Sequence, residues 1–430
     1  MTAPNGPILF NSTTGSDSNA SGLGPSVAYT GSNASLNGTV VDVSSDVSTL
    51  NGVQSGDLIY CDTSTGRKFS IISIIDSITF EIYTDDTWPT ENGVTWAVGG
   101  KRATLDDANS RRIVTTDNPT GEWTVELENT GSDYSITSSL PLRSVTIKGD
   151  DENNPTGVTF NQNSNLFNAS TGTSTVKNLN LKCTASSKTL ATAFNKASSN
   201  TGFRVHNVTF DSSDNWNKAF GRTSISAGDL RAIGCNINNT ITNISDWDAV
   251  QEFYNCTFSN CSGNGIASRS NTCIVKNCVF DGCSGNLIYQ SGNPTNVWVI
   301  QGNVFNGGSQ ALRLYTYTWI SPRVGAFENI FIGFTSQAIY NNPTDQNFRV
   351  SRNAFYNNVA EYNGTHDDNI TLTADPFIDA ANGDFNIKSS SVLAGVNYNL
   401  GSKTTVHPFR QFVSSYFQTS NSTMKIHPLA

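Results

Sequence analysis

Charge and histidine are scarce in this chain, and each scarcity excludes something. Only 14% of the 430 residues are Asp, Glu, Lys or Arg, while 10% are aromatic; a disordered chain shows the opposite balance. With 26 basic against 35 acidic residues the net charge is −9, so no nucleic-acid partner is expected, because phosphate contacts need clustered Lys and Arg. No run of 18 apolar residues occurs, so no membrane partner is expected either. The four histidines (His206, His366, His407 and His427) are scattered, and none has the ligand spacing of an H-E-x-x-H pair. His366-Asp-Asp368 reads as a loop tip and Asp150-Asp-Glu152 as a turn. Neither a metal nor any other cofactor is expected. The opening Met1-Thr-Ala-Pro-Asn-Gly-Pro7 lacks the basic and apolar regions of a secretory signal. A surface-like composition without an export signal suits a protein that leaves its cell inside an assembled particle.

What the chain does have is a repeat. From Val176 to Ile387 a short phrase recurs, with an aliphatic or aromatic anchor at Leu181, Phe210, Ile237, Phe258, Phe280, Phe305, Phe331 and Phe355. The gaps are 29, 27, 21, 22, 25, 26 and 24 residues. A period in this range marks a solenoid or a propeller. Five residues before each anchor stands Val176, Val205, Ala232, Phe253, Val275, Ile300, Ala326 or Val350. Asn178, Asn207, Asn255 and Asn277 lie three before, and in later coils the Asn moves to two before, as Asn303, Asn329 and Asn353. A second apolar point follows the anchor at Ile266, Ile288, Leu312 and Ile339. Short apolar triplets separated by Asn, Gly and Ser suit brief strands joined by sharp bends, since Asn tolerates the left-handed backbone a bend needs. Three strands and three bends per period make a coil of a right-handed parallel β-helix. Leucine-rich repeats need regular Leu spacing and propeller blades need about 40 residues, so both fit worse.

The anchors, extended to Leu127 and Ile147 at one end and Phe385 at the other, predict an all-β solenoid of about 10–11 coils over residues 104–395, a rod on the order of 50 Å long. Residues 1–38 are rich in Gly, Ser and Asn and read as an extended segment. Over 39–103, strands such as DLIYCD, KFSIISII and TWAV alternate with turns at Asn51-Gly52 and Thr65-Gly66, which predicts a small β-barrel or meander. Gly99-Gly-Lys-Arg-Ala-Thr104 lacks the first Gly and the following Ser/Thr of a phosphate loop, so no nucleotide is expected. Residues 396–430 read as a cap or interface segment, with Phe409, Phe412, Val413, Tyr416 and Phe417 at helical spacing after Pro408. The eight cysteines suggest disulfides at first, but Cys235, Cys256 and Cys278 share one position in the repeat and Cys261 and Cys283 another. Equivalent positions stack into columns, where a thiol serves as a small apolar filler.

Ala374-Asp-Pro-Phe-Ile-Asp-Ala-Ala-Asn-Gly-Asp-Phe-Asn-Ile387 resembles the closing rung of right-handed β-helix proteins of the pectate-lyase-like superfamily. The resemblance covers roughly residues 120–395 and concerns fold rather than activity. GRKFSII and TWAVGGKRAT look like segments of β-helix proteins of tailed phages, such as tailspikes and other virion proteins. That likeness implies a homotrimer. Of the Asn-Thr-Asp, Asp-Asp, His-Gly and Arg-Ile-Lys strings of polygalacturonase-like enzymes, only Asp-Asp occurs, outside the central rungs.

Glycoside hydrolysis needs two carboxylates about 5 to 9.5 Å apart. Asp211 and Asp281 share a repeat position, but three rungs put them about 14 Å apart. The weak catalytic candidates that remain are Asp246, Asp248 and Glu252, in a rung that departs from the apolar pattern of its neighbours. Asp211, Asp214 and Trp216, with Trp247, are the candidates for glycan binding, on loops that the longer spacings imply. The reading that follows is a structural virion protein of a tailed phage on tail or capsid, with other virion proteins and a host-surface polysaccharide as partners. The alternative is a polysaccharide lyase or glycoside hydrolase of β-helix type.

Overall fold

The computed structural model of the chain describes residues 8–16, 29–55, 57–83, 88–100, 103–106, 123–198, 201–211, 216–223, 228–247, 250–268, 272–290, 297–314, 324–341, 348–362 and 368–395. It is all-β. Ten successive triplets of short strands, from Thr124–Leu127 to Ala360–Tyr362, wind into a parallel solenoid whose first, second and third sheets hold 11, 11 and 10 strands. Each rung contributes in turn to a first, a second and a third sheet. The first also gains Ile8–Phe10, which pairs in parallel with Thr124–Leu127. Part of the presumed N-terminal extension therefore belongs to the solenoid, with Ile8 and Phe10 buried.

Each of the three repeat positions becomes one column. In the second sheet Phe258 pairs with Phe280, Phe280 with Phe305, Phe305 with Phe331 and Phe331 with Phe355. Their rings stack at centroid distances of 4.6, 4.9, 5.0 and 5.1 Å, close to the strand spacing itself. The first sheet aligns Val176 with Val205, Ala232 with Phe253 and Val275 with Ile300. The third aligns Ile266, Ile288, Leu312 and Ile339.

The ends differ from the sequence reading. Ile147 pairs with Val176 and Leu127 with Gly149, so both belong to the first sheet. Above Leu181 the anchor column continues instead through Val158 and Tyr134. Phe385 is not an anchor: Thr371 occupies the place below Phe355. The closing string folds as an antiparallel hairpin, Phe377–Asp379 against Asp384–Ile387. Phe377, Phe385 and Leu393 cluster with Val279, Val304, Ile330 and Ala354. These last four point outward from the second sheet, in the register that earlier rungs fill with Asn180, Thr209, Asn236 and Thr257. An apolar outward column needs a cover, and the hairpin provides it.

The bends follow the predicted chemistry. Asn178, Asn207, Asn255 and Asn277 have φ of 57, 51, 54 and 53°. In later rungs the bend does not move; Gly302, Glu328 and Arg352 take it, with φ of 68, 57 and 55°. Replacing Asn255 by Val is expected to cost about 1–2 kcal/mol, whereas Asn255→Gly should be near neutral. Chemical denaturation of both variants would check this, and equal midpoints would remove the left-handed bend from the account.

Asn303, Asn329 and Asn353 are a different device. They are buried, and they continue downward the column that Cys235, Cys256 and Cys278 begin. Cys278 N–H donates to Asn303 Oδ1 at 2.8 Å, and Asn303 Nδ2 donates to Asn329 Oδ1 at 3.0 Å. All eight cysteines are free and buried. Burial pushes the Cys273 thiol up to about 12.

Tyr29–Asn37, Val40–Asp42, Leu58–Thr63, Gly66–Ile74, Thr79–Tyr83 and Glu91–Val98 form a closed antiparallel barrel. It begins at Tyr29, ahead of the expected boundary at 39. Closure removes its sheet edges. Its core contains Leu36, Val41, Ile59, Phe80 and Trp96, while Leu58, Tyr60 and Ala97 join the solenoid's core. The predicted helix around Phe409–Phe417 lies outside the described residues. Among the described residues no helix is long and apolar enough to cross a membrane.

Candidate functional site

The regular rung makes it possible to say which face each candidate residue occupies. Asp211 follows the second-sheet strand Thr209–Phe210. Asp246 lies on the third-sheet strand Thr240–Trp247, and Glu252 on the first-sheet strand Val250–Tyr254. The three acids are thus distributed over three sheets, with the apolar core between them. Asp246 is bound by Lys218 Nζ at 3.1 Å and Arg222 Nε at 3.6 Å. Glu252, 8% exposed, accepts from Arg231 Nε at 2.5 Å. Asp246 and Glu252 are not paired as acid and nucleophile. Asp214 and Asp248 lie outside the described residues.

Neither tryptophan offers a ring to a sugar. Trp216 is buried between Phe160, stacked at 6.2 Å, and Phe210, edge-on at 5.9 Å. Trp247 is also fully buried, and its Nε1 donates to Gly228 O at 2.9 Å. The unusual composition of this rung has an internal cause. Ser245 occupies the position that Ile266 fills one rung later. Its hydroxyl meets buried Gln251 Oε1 at 2.6 Å, and Gln251 Nε2 donates to the carbonyls of Trp247 at 2.8 Å and Ala267 at 3.2 Å. The departure is a satisfied polar bridge across the core.

What the acids do not provide, the outer face of the third sheet does. One half-buried column runs through Asn243, Asn264 and Asn286, with Asn286 Nδ2 donating to Asn264 Oδ1 at 3.0 Å. The neighbouring column places Tyr289 against Arg313 and Arg313 against Tyr340 in consecutive rungs. All three are half-buried. Amides, guanidinium and phenol rings repeat here at about the strand spacing of 4.8 Å. That repetition matches a polymer of similar units, since rings offer flat apolar contact and amides offer donors and acceptors. The signal is present in the sequence: Tyr289, Arg313 and Tyr340 each directly follow the second apolar point of their rung, and Asn264 and Asn286 lie two residues before it. Among the described residues no group of three or more His, Cys, Asp and Glu side chains could hold a metal ion.

No protein-family profile matches the sequence, and no curated protein does. Solved structures do. One is the catalytic unit of a GH87 α-1,3-glucanase from Streptomyces thermodiastaticus, at 12% identity over 80% of this chain and 82% of that one, with a TM-score of 0.31. Another is the tailspike protein of Pseudomonas phage LKA1, at 12% identity over 80% of this chain, with a TM-score of 0.21. This chain spans about 61% of that tailspike's length. A third is a GH87 α-1,3-glucanase catalytic domain in complex with nigerose, at 11% identity over 86% of this chain and 96% of that one, with a TM-score of 0.25. The chain is a parallel β-helix protein. Identity at this level speaks to fold alone.

Proposed function

We propose that this β-helix protein is a structural component of a tailed-phage virion, on tail or capsid, that holds a host-surface glycan without cleaving it. The observation that carries the reading is the separation of the acids: Asp211, Asp246 and Glu252 occupy three sheets, and the last two are engaged by cations. A hydrolase would bring two carboxylates to one face. The third-sheet face supplies contact without chemistry, through Asn264, Asn286, Tyr289, Arg313 and Tyr340. A rigid solenoid of low charge suits a particle surface, and the phage-like segments around Gly66 and Thr95 favour the virion over a free enzyme. Its partners in this reading are other virion proteins and two further copies of itself.

Affinity electrophoresis through gels containing host capsular or exopolysaccharide tests the binding face. Tyr289→Ala and Tyr340→Ala should each weaken retardation on the order of tenfold, equivalent to about 1.4 kcal/mol, with unchanged melting. Full retardation of both variants would remove the third sheet from the proposal.

A further inference from the structure

The outer face of the first sheet carries a different signal. Its two outward columns place Thr175 and Lys177 in one rung, Arg204 and His206 in the next, and Arg231 and Ile233 in the one after. At the ends of this run the charges are compensated: Lys148 pairs with Glu126, and Arg231 with Glu252. Between those pairs, among the described residues, Lys177 and Arg204 make no ion pair and no side-chain hydrogen bond. Arg204 is exposed and Lys177 half-buried. In a chain of net charge −9, an uncompensated cluster of cations on one flat face is unexpected. Like charges on neighbouring strands repel and so disfavour the fold. His206 reports the local field: burial lowers its pKa first, and Lys177, Arg231 and Arg204 lower it further.

We infer that the Lys177–Arg204–His206 face is a second binding site, for a glycan bearing carboxylate or sulfate groups. Lys177 and Arg204 stand diagonally on adjacent rungs, about 7–8 Å apart, a separation that suits anionic groups repeated along an extended polysaccharide. The Thr146 and Thr175 hydroxyls lie in line with Arg204 and can bond sugar oxygens. Nucleic acid suits the face less well, because single strands need stacking platforms for successive bases and Ile233 separates His206 from Tyr254 in that column. The overall negative charge does not forbid the site, since at physiological salt screening confines the field to about 8 Å.

The inference is independent of the third-sheet reading, and the experiment keeps them apart. Dextran sulfate, neutral dextran and single-stranded DNA are titrated against the full chain at physiological salt. Dextran sulfate should bind and dextran should not; Lys177→Glu and Arg204→Glu should each weaken binding at least tenfold. Tyr289→Ala, and Arg349→Glu far along the same sheet, should leave it unchanged. Neither charge reversal breaks an ion pair, so melting should hold. In NMR titration, saturating dextran sulfate should move the His206 midpoint upward, because the bound anion offsets its cationic neighbours. A fixed midpoint, equal affinity for DNA, or unchanged binding by the two charge-reversal variants would overturn the site.

Discussion

Asn329→Leu is expected to destabilise the solenoid by on the order of 5 kcal/mol, more than removing any one surface ion pair. Asn329 is fully buried, and its side chain serves both adjacent rungs. Its Oδ1 accepts from Asn303 N at 3.0 Å and Asn303 Nδ2 at 3.0 Å. Its Nδ2 donates to Ile300 O at 2.9 Å and Asn353 Oδ1 at 3.0 Å. Leucine has a similar volume and fills the space, but it leaves several buried polar groups without partners, each worth about 1–3 kcal/mol. The position therefore tests hydrogen bonding rather than packing. Cys278→Ala, in the same column, removes one small thiol and should cost on the order of 1 kcal/mol. Equilibrium urea unfolding compares the two. A loss below about 1 kcal/mol for Asn329→Leu would contradict the ladder.

Phe280→Pro is the second large effect. The Phe280 ring lies between those of Phe258 and Phe305, at 4.6 and 4.9 Å, and truncating such a ring costs about 3–5 kcal/mol. Its strand is paired on both sides, so proline also removes a ladder donor from a central strand. Because a solenoid's stability is close to a sum of neighbour terms, damage should centre on the rungs from Phe258 to Phe305. Hydrogen exchange should show those rungs losing protection before the barrel. An unchanged melting curve would sink the rung assignment.

The sequence revealed the rung but not the faces. A period of roughly 25 residues exposes the interior columns, because every rung must place an apolar residue at the same internal site. Spacing also identified the thiol columns and the left-handed Asn bends. It does not say on which of three sheets an outward residue sits. Asp246 and Glu252 are six residues apart in sequence, yet they lie on different sheets. Carboxylates beside Trp216 and Trp247, with the loops that the longer spacings imply, suggest surface rings. In a core as wide as a three-sheet solenoid, a large ring fills a corner that small residues would leave hollow. The string ending at Ile387 reads as a final rung because it resembles the closing string of other β-helix proteins, with Phe385 as a last anchor. The apolar outward residues Val279, Val304 and Ile330 were the clue that something had to lie over the second sheet. Arg313 falls between Tyr289 and Tyr340 only through the register of consecutive rungs, which a single rung of sequence does not carry.

The central claim is that the protein holds a glycan and leaves it whole. Its most direct test is the size-exclusion profile of host polysaccharide before and after prolonged incubation with the full chain. The account predicts co-elution of protein with polymer and no change in polymer length. Shortened chains carrying new reducing ends or unsaturated sugars, abolished by Asp246→Asn, would contradict it.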